Sequence, residues 1–566
     1  MHHINSLGGM LQERAIVNAG QPAYTFHDYS LSQSYSLTFA QLDARARRIA
    51  SYLTEHGMQG RNILLVFHAG LDFIEAFFGC LYAGAVPVPL SAPLTTADKR
   101  RLTAVARDAR STFVLSAAGL VSAVNHVLQS DGLSYVQVID LAGLDNVEWD
   151  RSGFSVKYNE LALIQYTSGS TGVAKGVMLT HENILTNQRA IQQAFEHDER
   201  AVVVGWLPMF HDMGLIGNVL QPLFLGAHSI VFSPLAFVQN PLRWLQLISD
   251  YRATTSGGPN FAYAMCTRRI DTADRSGIDL SSWSLAFTGA ETIRKPTLEG
   301  FCEKFSRWGF NKKAFYSCYG LAEATLFVTG STKLSDVNSL YIDGRKLREH
   351  SVVPVDPGSA HGIEVSSCGY PRCGHKVNIV NPETSVLCEE RQVGEVWLSS
   401  DSNAKGYWPG ATDACQAFQS KIASLPEYYL RTGDLGFIER GELYITGRIK
   451  DLIIVRGKNR YPQDIEHTVE SHPDIRHDSC AALGIEVAGE ERLVVLIELR
   501  PRSADQLSIL AADIRELITR QHGISPDDIV FVKPNRLFRT SSGKLQRFKC
   551  RELYLTPSPS KTDLDH

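Results

Sequence analysis

The stretch Tyr166-Thr-Ser-Gly-Ser-Thr-Gly-Val-Ala-Lys175-Gly176 crowds glycines and hydroxyl side chains behind an apolar run and ends in a lysine. That is the composition of a loop that wraps an anion. Glycines such as Gly169 and Gly172 let backbone N–H groups turn inward on a phosphate. Thr167, Ser168, Ser170 and Thr171 add hydroxyl donors, and Lys175 brings a full positive charge to the outer phosphates. The order differs from the P-loop, in which glycine, four residues, glycine and lysine run consecutively. A flexible Ser/Gly turn is the bland alternative, and the loop alone names no reaction.

Other chemistry-bearing segments follow: Trp206-Leu-Pro-Met-Phe-His-Asp-Met-Gly214, Gly289-Ala-Glu291, Tyr319-Gly-Leu-Ala-Glu323, Arg431-Thr-Gly-Asp434, Gly447-Arg-Ile-Lys-Asp451 and Thr540-Ser-Ser-Gly-Lys544. Taken singly, Lys544 reads as a solvated surface lysine, Glu323 as a helix-start carboxylate and Asp434 as a turn aspartate. Taken together and in this order, the segments resemble the ANL superfamily of adenylate-forming enzymes, which includes acyl-CoA synthetases, peptide-synthetase adenylation domains and luciferases.

The resemblance implies that a carboxylate oxygen displaces pyrophosphate in line at the α-phosphorus of ATP, with negative charge spread over the transferred group. A carboxylic acid of pKa roughly 4 to 5 is already ionised at neutral pH, so such a site needs no base. It needs cations that hold two anions together. By the same resemblance Lys544 bridges the acyl carboxylate and the α-phosphate, and Glu323 with Thr167 holds Mg2+. Asp434 takes the ribose hydroxyls with Arg448 nearby. Tyr319 stacks on adenine, with Ser317, Cys318, Gly320 and Gly289-Ala290-Glu291 around it. Ser317 stands where the family often has Asn or Asp, and Lys450 falls at the family's hinge position.

Amino-acid-activating relatives carry an aspartate after the aromatic residue of the fourth motif, but here Phe210 is followed by His211, so an α-amino acid is not the expected substrate. His211 joins the candidate catalytic residues. The run from Phe210 through Leu223, with Ser233-Pro-Leu-Ala-Phe237 and Gly258-Pro-Asn-Phe-Ala-Tyr263, resembles the fatty acyl-AMP ligase branch. A fatty acid requires an apolar tunnel. His211, Met213, Leu215, Ile216, Phe237 and Phe261 are the candidate walls, although helix-spaced apolar residues also describe plain core.

The polar stretch at about 333–367, ahead of Cys368-Gly-Tyr-Pro, is similar to an insertion of that branch that is linked to blocking CoA thioester formation. The implied acceptor is the phosphopantetheine thiol of an acyl carrier protein on a separate chain. Two rivals stand beside this reading: an acyl-CoA synthetase, and an inactive ligand-binding homologue. The inactive homologue would be expected to lack one of Lys175, Glu323, Asp434 or Lys544, and all four are present.

These residues have to be positioned by a large scaffold. A chain of 566 residues exceeds what one core supports, and 44% hydrophobic with 20% charged residues is ordinary globular composition. The net charge of -4 gives no pull toward nucleic acid or anionic membrane, so phosphate binding must be local. The ten cysteines show no C-x-x-C pair, which suggests neither zinc nor a disulfide framework and fits a cytoplasmic setting. No signal peptide or membrane span is read, because the apolar stretches 73–90 and 202–232 are broken by Glu75, His211, Asp212, prolines and glycines.

Thr38 and Gln41 make a capping-box pair that opens a helix over 38–57. Apolar runs at 62–67, 86–90, 112–115, 136–140, 161–166, 202–206, 229–232, 254–256, 285–288 and 314–317 alternate with helix-length stretches, the grammar of βαβ units and a mostly parallel sheet. After Thr329 the pattern becomes β-rich, with strands near 394–399 and 443–446. The fold expected is α/β: an N-terminal adenylate-forming domain over 1–447 with the insertion, a hinge at 448–451, and a small mobile α+β lid over 452–566.

Overall fold

The computed structural model describes residues 4–145, 147–148, 160–168, 174–271, 277–408, 417–455, 458–487, 490–539 and 545–556. The capping box forms as the sequence predicts: the Gln41 N–H donates to Thr38 Oγ1 (3.2 Å) and the Thr38 N–H to Gln41 Oε1 (2.9 Å). Helix Phe39–Glu55 buries Leu42, Ala46, Ile49 and Leu53 and packs against helix Leu71–Tyr82.

Strand Asn62–Phe67 is apolar from Ile63 onward and buried on both faces, as a strand inside a parallel sheet must be. It pairs in parallel with Val86–Ser91 and Phe113–Ser116, and the latter pairs with Gln137–Asp140. A nine-stranded sheet carries the site. Its centre, Phe315–Gly320, Leu285–Thr288, Thr255–Gly257, Val202–Gly205, His228–Phe232 and Pro22–Asp28, is parallel. Antiparallel strands close both edges. The segments Trp206–His211, Gly289–Glu291 and Leu321–Glu323 thus follow the carboxyl ends of parallel strands, where open α/β sheets bind ligands.

The run at 161–166 departs from the βαβ expectation. Strand Leu161–Ser168 returns antiparallel through Ala174–Thr180, because too few residues separate the two for the crossover that parallel pairing requires. The stretch 333–367 is also more regular than its polar composition suggests. Ser339–Asp343 and Gly362–Ser366 pair as a two-stranded sheet, with the short helix Gly344–Leu347 after the first strand.

An antiparallel sheet built on Lys376–Val380, Gly394–Ser399, Tyr428–Glu439 and Glu442–Arg448 follows. Beyond Asp451, Cys480–Val487, Glu490–Glu498 and Asp528–Val532 form a three-stranded sheet. Alternation along its central strand sends Leu493, Val495 and Ile497 toward Ile465, Ile514 and Ile518, and Val494 and Leu496 toward Cys550. No described helix is long and apolar enough to cross a membrane.

Candidate active site

The hairpin sets Thr167 directly opposite Lys175. Its base is anchored to the neighbouring parallel sheet, where the Tyr166 hydroxyl bonds Asp108 and Arg101 donates to the Tyr166 carbonyl (2.8 Å). A third strand, Gly406–Tyr407, pairs alongside Ala174–Thr180 and brings in a residue that sequence reasoning missed. The Tyr407 ring lies 4.9 Å from Lys175 Nζ, and its hydroxyl donates to Glu323 Oε1 (2.9 Å). Thr167, Lys175, Tyr407 and Glu323 therefore gather at one wall of a cavity of about 480 Å³.

Burial pushes the Glu323 carboxyl upward and Asp212 adds to this, while the Glu323 backbone N–H, Tyr407 and Arg448 oppose it. A half-buried carboxylate whose direct partner is a hydroxyl is stabilised by a cation placed against it. Thr167 and Glu323 supply hard oxygen donors that fit Mg2+.

Asp434 is held from three sides. Glu395, buried, accepts from Arg431 Nε (2.9 Å), from Trp397 Nε1 (2.9 Å) and from the Gly433 N–H (3.0 Å), which fixes the turn before it. The Tyr319 hydroxyl donates to Asp434 Oδ2 (2.7 Å) and Arg448 Nε to Oδ1 (2.8 Å). The Asp434 charge holds the Arg448 guanidinium charged well beyond its ordinary range. The tyrosine ring is thereby locked with one face toward the cavity that Gly289, Ala290, Cys318 and Gly320 also line. Gly289 can only be glycine: a Cβ there would stand 2.7 Å from the Cys318 carbonyl oxygen.

Two predicted adenine contacts sit differently. Ser317 is fully buried and does not line the cavity, because strand alternation turns it away from the face that Cys318 presents. Glu291 accepts from the Phe261 N–H (2.6 Å) and lines an adjoining cavity, shared with Asp434, Arg448 and Arg547.

Lys544 lies outside the described residues, as do Gly169, Ser170, Thr171, Gly172 and the side chain of Ser168. Leu545, Gln546 and Arg547, which follow Lys544, line the cavity together with exposed Lys450 and Asp451. Arg547 is anchored to Glu466 Oε2 (2.7 Å) and Asp451 Oδ2 (3.2 Å). Neither Arg547 nor Tyr407 carries a local signal in the sequence, since each reaches the site only through tertiary packing.

The apolar part of the cavity corrects the predicted tunnel. His211 and Met213 line it, with Ile191 and Phe195 of helix His181–Phe195 opposite. Leu215 and Ile216 are wholly buried in the core instead, Phe237 stacks on Trp206 at 4.0 Å, and Phe261 packs edge-on against the same indole. Met213–Leu220 is a π-helix, in which the Gln221 N–H reaches back to the Ile216 carbonyl. Its wider turn puts Met213, Gly217 and Gln221, four residues apart, in one line along the cavity. His211 Nδ1 contacts Asp212 Oδ1 (2.8 Å), and that oxygen also accepts the Met213 N–H (2.7 Å), which caps the helix.

Comparison with known proteins agrees with this geometry. The AMP-binding enzyme family matches residues 11–408, and the AMP domain of Disco-interacting protein 2-like proteins matches residues 450–562. A medium-chain-fatty-acid–acyl-carrier-protein ligase of Moorena producens is 40% identical, over 97% of this chain and 95% of its own. A long-chain-fatty-acid–AMP ligase of Mycobacterium marinum is 34% identical over 99% of both. The crystal structure of the fatty acyl-adenylate ligase of Legionella pneumophila with acyl adenylate and pyrophosphate superposes with a TM-score of 0.75 at 38% identity, covering 98% of this chain and 97% of the other. The chain belongs to the AMP-binding enzymes of the ANL adenylate-forming superfamily, on its fatty acyl-AMP ligase branch.

Proposed function

We propose that the chain joins a fatty acid to ATP as acyl-AMP, releasing pyrophosphate, and then passes the acyl group to the phosphopantetheine thiol of an acyl carrier protein. The observation that carries this reading is the single cavity in which a cationic, phosphate-sized end at Lys175, Thr167 and Glu323 opens into an apolar tunnel between Phe195 and Met213. In the first step a carboxylate oxygen bonds to the α-phosphorus as the bond to pyrophosphate breaks. In the second, the thiol loses its proton, its sulfur bonds to the acyl carbon, and AMP leaves.

Lys175 would hold the outer phosphates and Lys544 would bridge the two anions, so that alignment and charge supply the catalysis. Thr167 and Glu323 would hold Mg2+, which when bound neutralises charge on the phosphates. Asp434 would take the ribose hydroxyls, and Tyr319 the adenine face. His211, with its ring nitrogen fixed by Asp212, would sit beside the acyl carboxylate. The two bodies would be 1–447 and 452–566, swinging about 448–451 with Lys450 at the pivot, which is exposed on the short turn Ile449–Asp451.

Contacts of the 333–367 segment support carrier protein over CoA as acceptor. Arg348 donates to the His522 carbonyl (2.9 Å) and contacts His522 Nδ1 (3.1 Å), while His350 Nε2 bonds Asn459 Nδ2 (2.8 Å), tying the segment to the carboxy-terminal body. The test is mass spectrometry of products from ATP, Mg2+ and a medium- or long-chain fatty acid with CoA in excess. Acyl-AMP accumulating with CoA untouched is expected, and acyl-CoA would make the chain a CoA synthetase. Lys544→Ala should abolish adenylation while ATP still binds, and near-normal acyl-AMP from that variant would remove the bridging role.

A further inference from the structure

The tunnel changes chemistry at its inner end. Its wall is apolar along Ile191, Phe195, Met213 and Phe287, but His197, Thr255 and Gln221 line it too. Thr255 opens strand Thr255–Gly257 at the amino end of the parallel sheet, whereas Gly289 and Glu323 follow carboxyl ends. His197 and Thr255 therefore mark the end remote from Lys175. Gln221 is the last position of the Met213–Gly217–Gln221 line, two π-turns beyond the His211 end.

This inner end is polar and unsatisfied. His197 Nε2 and Thr255 Oγ1 are 2.8 Å apart, which leaves His197 Nδ1 without a protein partner. Among the described residues the Gln221 carboxamide has no partner at Nε2 or Oε1, although the residue is only 2% exposed. Buried polar atoms are ordinarily paired, and leaving them unpaired destabilises a fold. Three such atoms on one cavity wall point to a ligand that completes them.

We propose that His197 and Gln221 form a hydrogen-bonding subsite that selects fatty acids carrying an uncharged hydroxyl group near the distal end of the chain. The proposal rests on the fatty-acid reading above and narrows it. A hydroxyl both donates and accepts, so it can serve the carboxamide and the imidazole together. The imidazole itself is neutral: burial, with Lys333 adding to it, pushes His197 down to about 3. Among the described residues neither a cation nor a carboxylate lines this end to pair with a charged substituent. A plain alkyl terminus would leave all three polar atoms unpaired and dry.

The experiment compares kcat/KM of wild type and Gln221→Leu for hexanoate through dodecanoate and for their terminally hydroxylated counterparts, read as acyl-AMP. Wild type should prefer the hydroxylated acid at one chain length by at least about tenfold, as sites built to bond a substrate hydroxyl do. Gln221→Leu should erase that preference, lowering kcat/KM for the hydroxylated acid relative to the plain acid of the same length. Plain acids equal to or better than hydroxylated ones at every length, or a preference unchanged in Gln221→Leu, would overturn the subsite. Failure of wild type with every acid, plain and hydroxylated, would instead remove the fatty-acid reading on which it rests. Should leucine unfold the chain, the wild-type length series decides alone.

Discussion

Gly217 is the position at which tunnel length can be tested without touching the chemistry. It lines the cavity between Met213 and Gln221, and a Cβ placed on it would meet only Leu326 Cδ2, at 3.8 Å, an ordinary contact. Leucine at 217 is therefore tolerated by the backbone and fills space that the acyl chain would occupy. If it displaces three methylenes from apolar burial at about 0.8 kcal/mol each, the substrate loses about 2.4 kcal/mol. At about 1.4 kcal/mol per decade that is roughly a 50-fold loss in kcat/KM. The loss applies only to acids long enough to pass residue 217. The assay is pyrophosphate release at saturating ATP across butyrate to tetradecanoate, with thermal unfolding as control. Gly217→Leu should leave the shortest acids unaffected and lower the long ones, and the unfolding midpoint should hold or rise, because glycine is the poorer helix former. An equal loss at every length would mean general damage. Unchanged long-chain turnover would mean that the acyl chain runs elsewhere, and the tunnel assignment would fall.

Asp434→Asn removes the charge in the hydrogen bond from Arg448 while keeping the side chain's shape; at about 1.5–3 kcal/mol for a charged hydrogen bond, KM for ATP should rise roughly 10- to 100-fold. The fatty-acid KM should stay within twofold, and a parallel rise in both would refute the nucleotide role. Burial pushes the Glu75 carboxyl up to about 7 despite its pairing with Arg45 at 2.6 Å. Between an unfolded value of about 4.5 and this one the folded chain binds the extra proton, so Glu75 makes stability fall as pH rises through that window. Glu75→Gln should flatten that part of the curve of unfolding midpoint against pH, and an identical pH dependence in both proteins would refute the assignment. Arg348→Ala should loosen the carboxy-terminal body, seen as faster hydrogen exchange over the last turns of Ala504–His522, and unchanged exchange there would show that the bonds to His522 do not hold it.

What was legible in the sequence was whatever depends on local chemistry. Thr38 and Gln41 announced a helix start because capping is satisfied within one turn, and the apolar run 63–67 announced a strand buried on both faces. The motif residues Thr167, Lys175, Glu323 and Tyr319 converge because each sits at or just past the end of a strand or hairpin arm, a place that glycine and hydroxyl composition marks, whereas Asp434 sits inside strand Tyr428–Glu439 beside Gly433. The tunnel walls were not legible, because Met213, Leu215, Ile216 and Gly217 are all apolar or small, and which face of the helix meets the cavity is decided by tertiary packing. Tyr407, Arg547 and His197 were missed for another reason: their contacts span 84, 81 and 58 residues, and nothing in their own neighbourhoods marks them. Ser317 shows the reverse error, a residue in the right motif that strand alternation turns to the wrong face.

The site divides its work between elements of different origin, and the division decides which substitutions change what. The charge-bearing wall comes from the hairpin, from the carboxyl ends of parallel strands and from the carboxy-terminal body, and on the proposed reading it would handle a carboxylate and a triphosphate whatever the acid's tail. On the proposed reading the tail would meet helix His181–Phe195, the π-helix, the strands Val202–Gly205, Thr255–Gly257 and Leu285–Thr288, and Leu326 and Phe327. Because Met213 follows Asp212, which contacts His211, the π-helix begins at the chemistry and ends at the tunnel's inner end. Changes at its early positions should therefore alter both rate and chain selectivity, whereas those at Gly217 and Gln221 should alter selectivity alone.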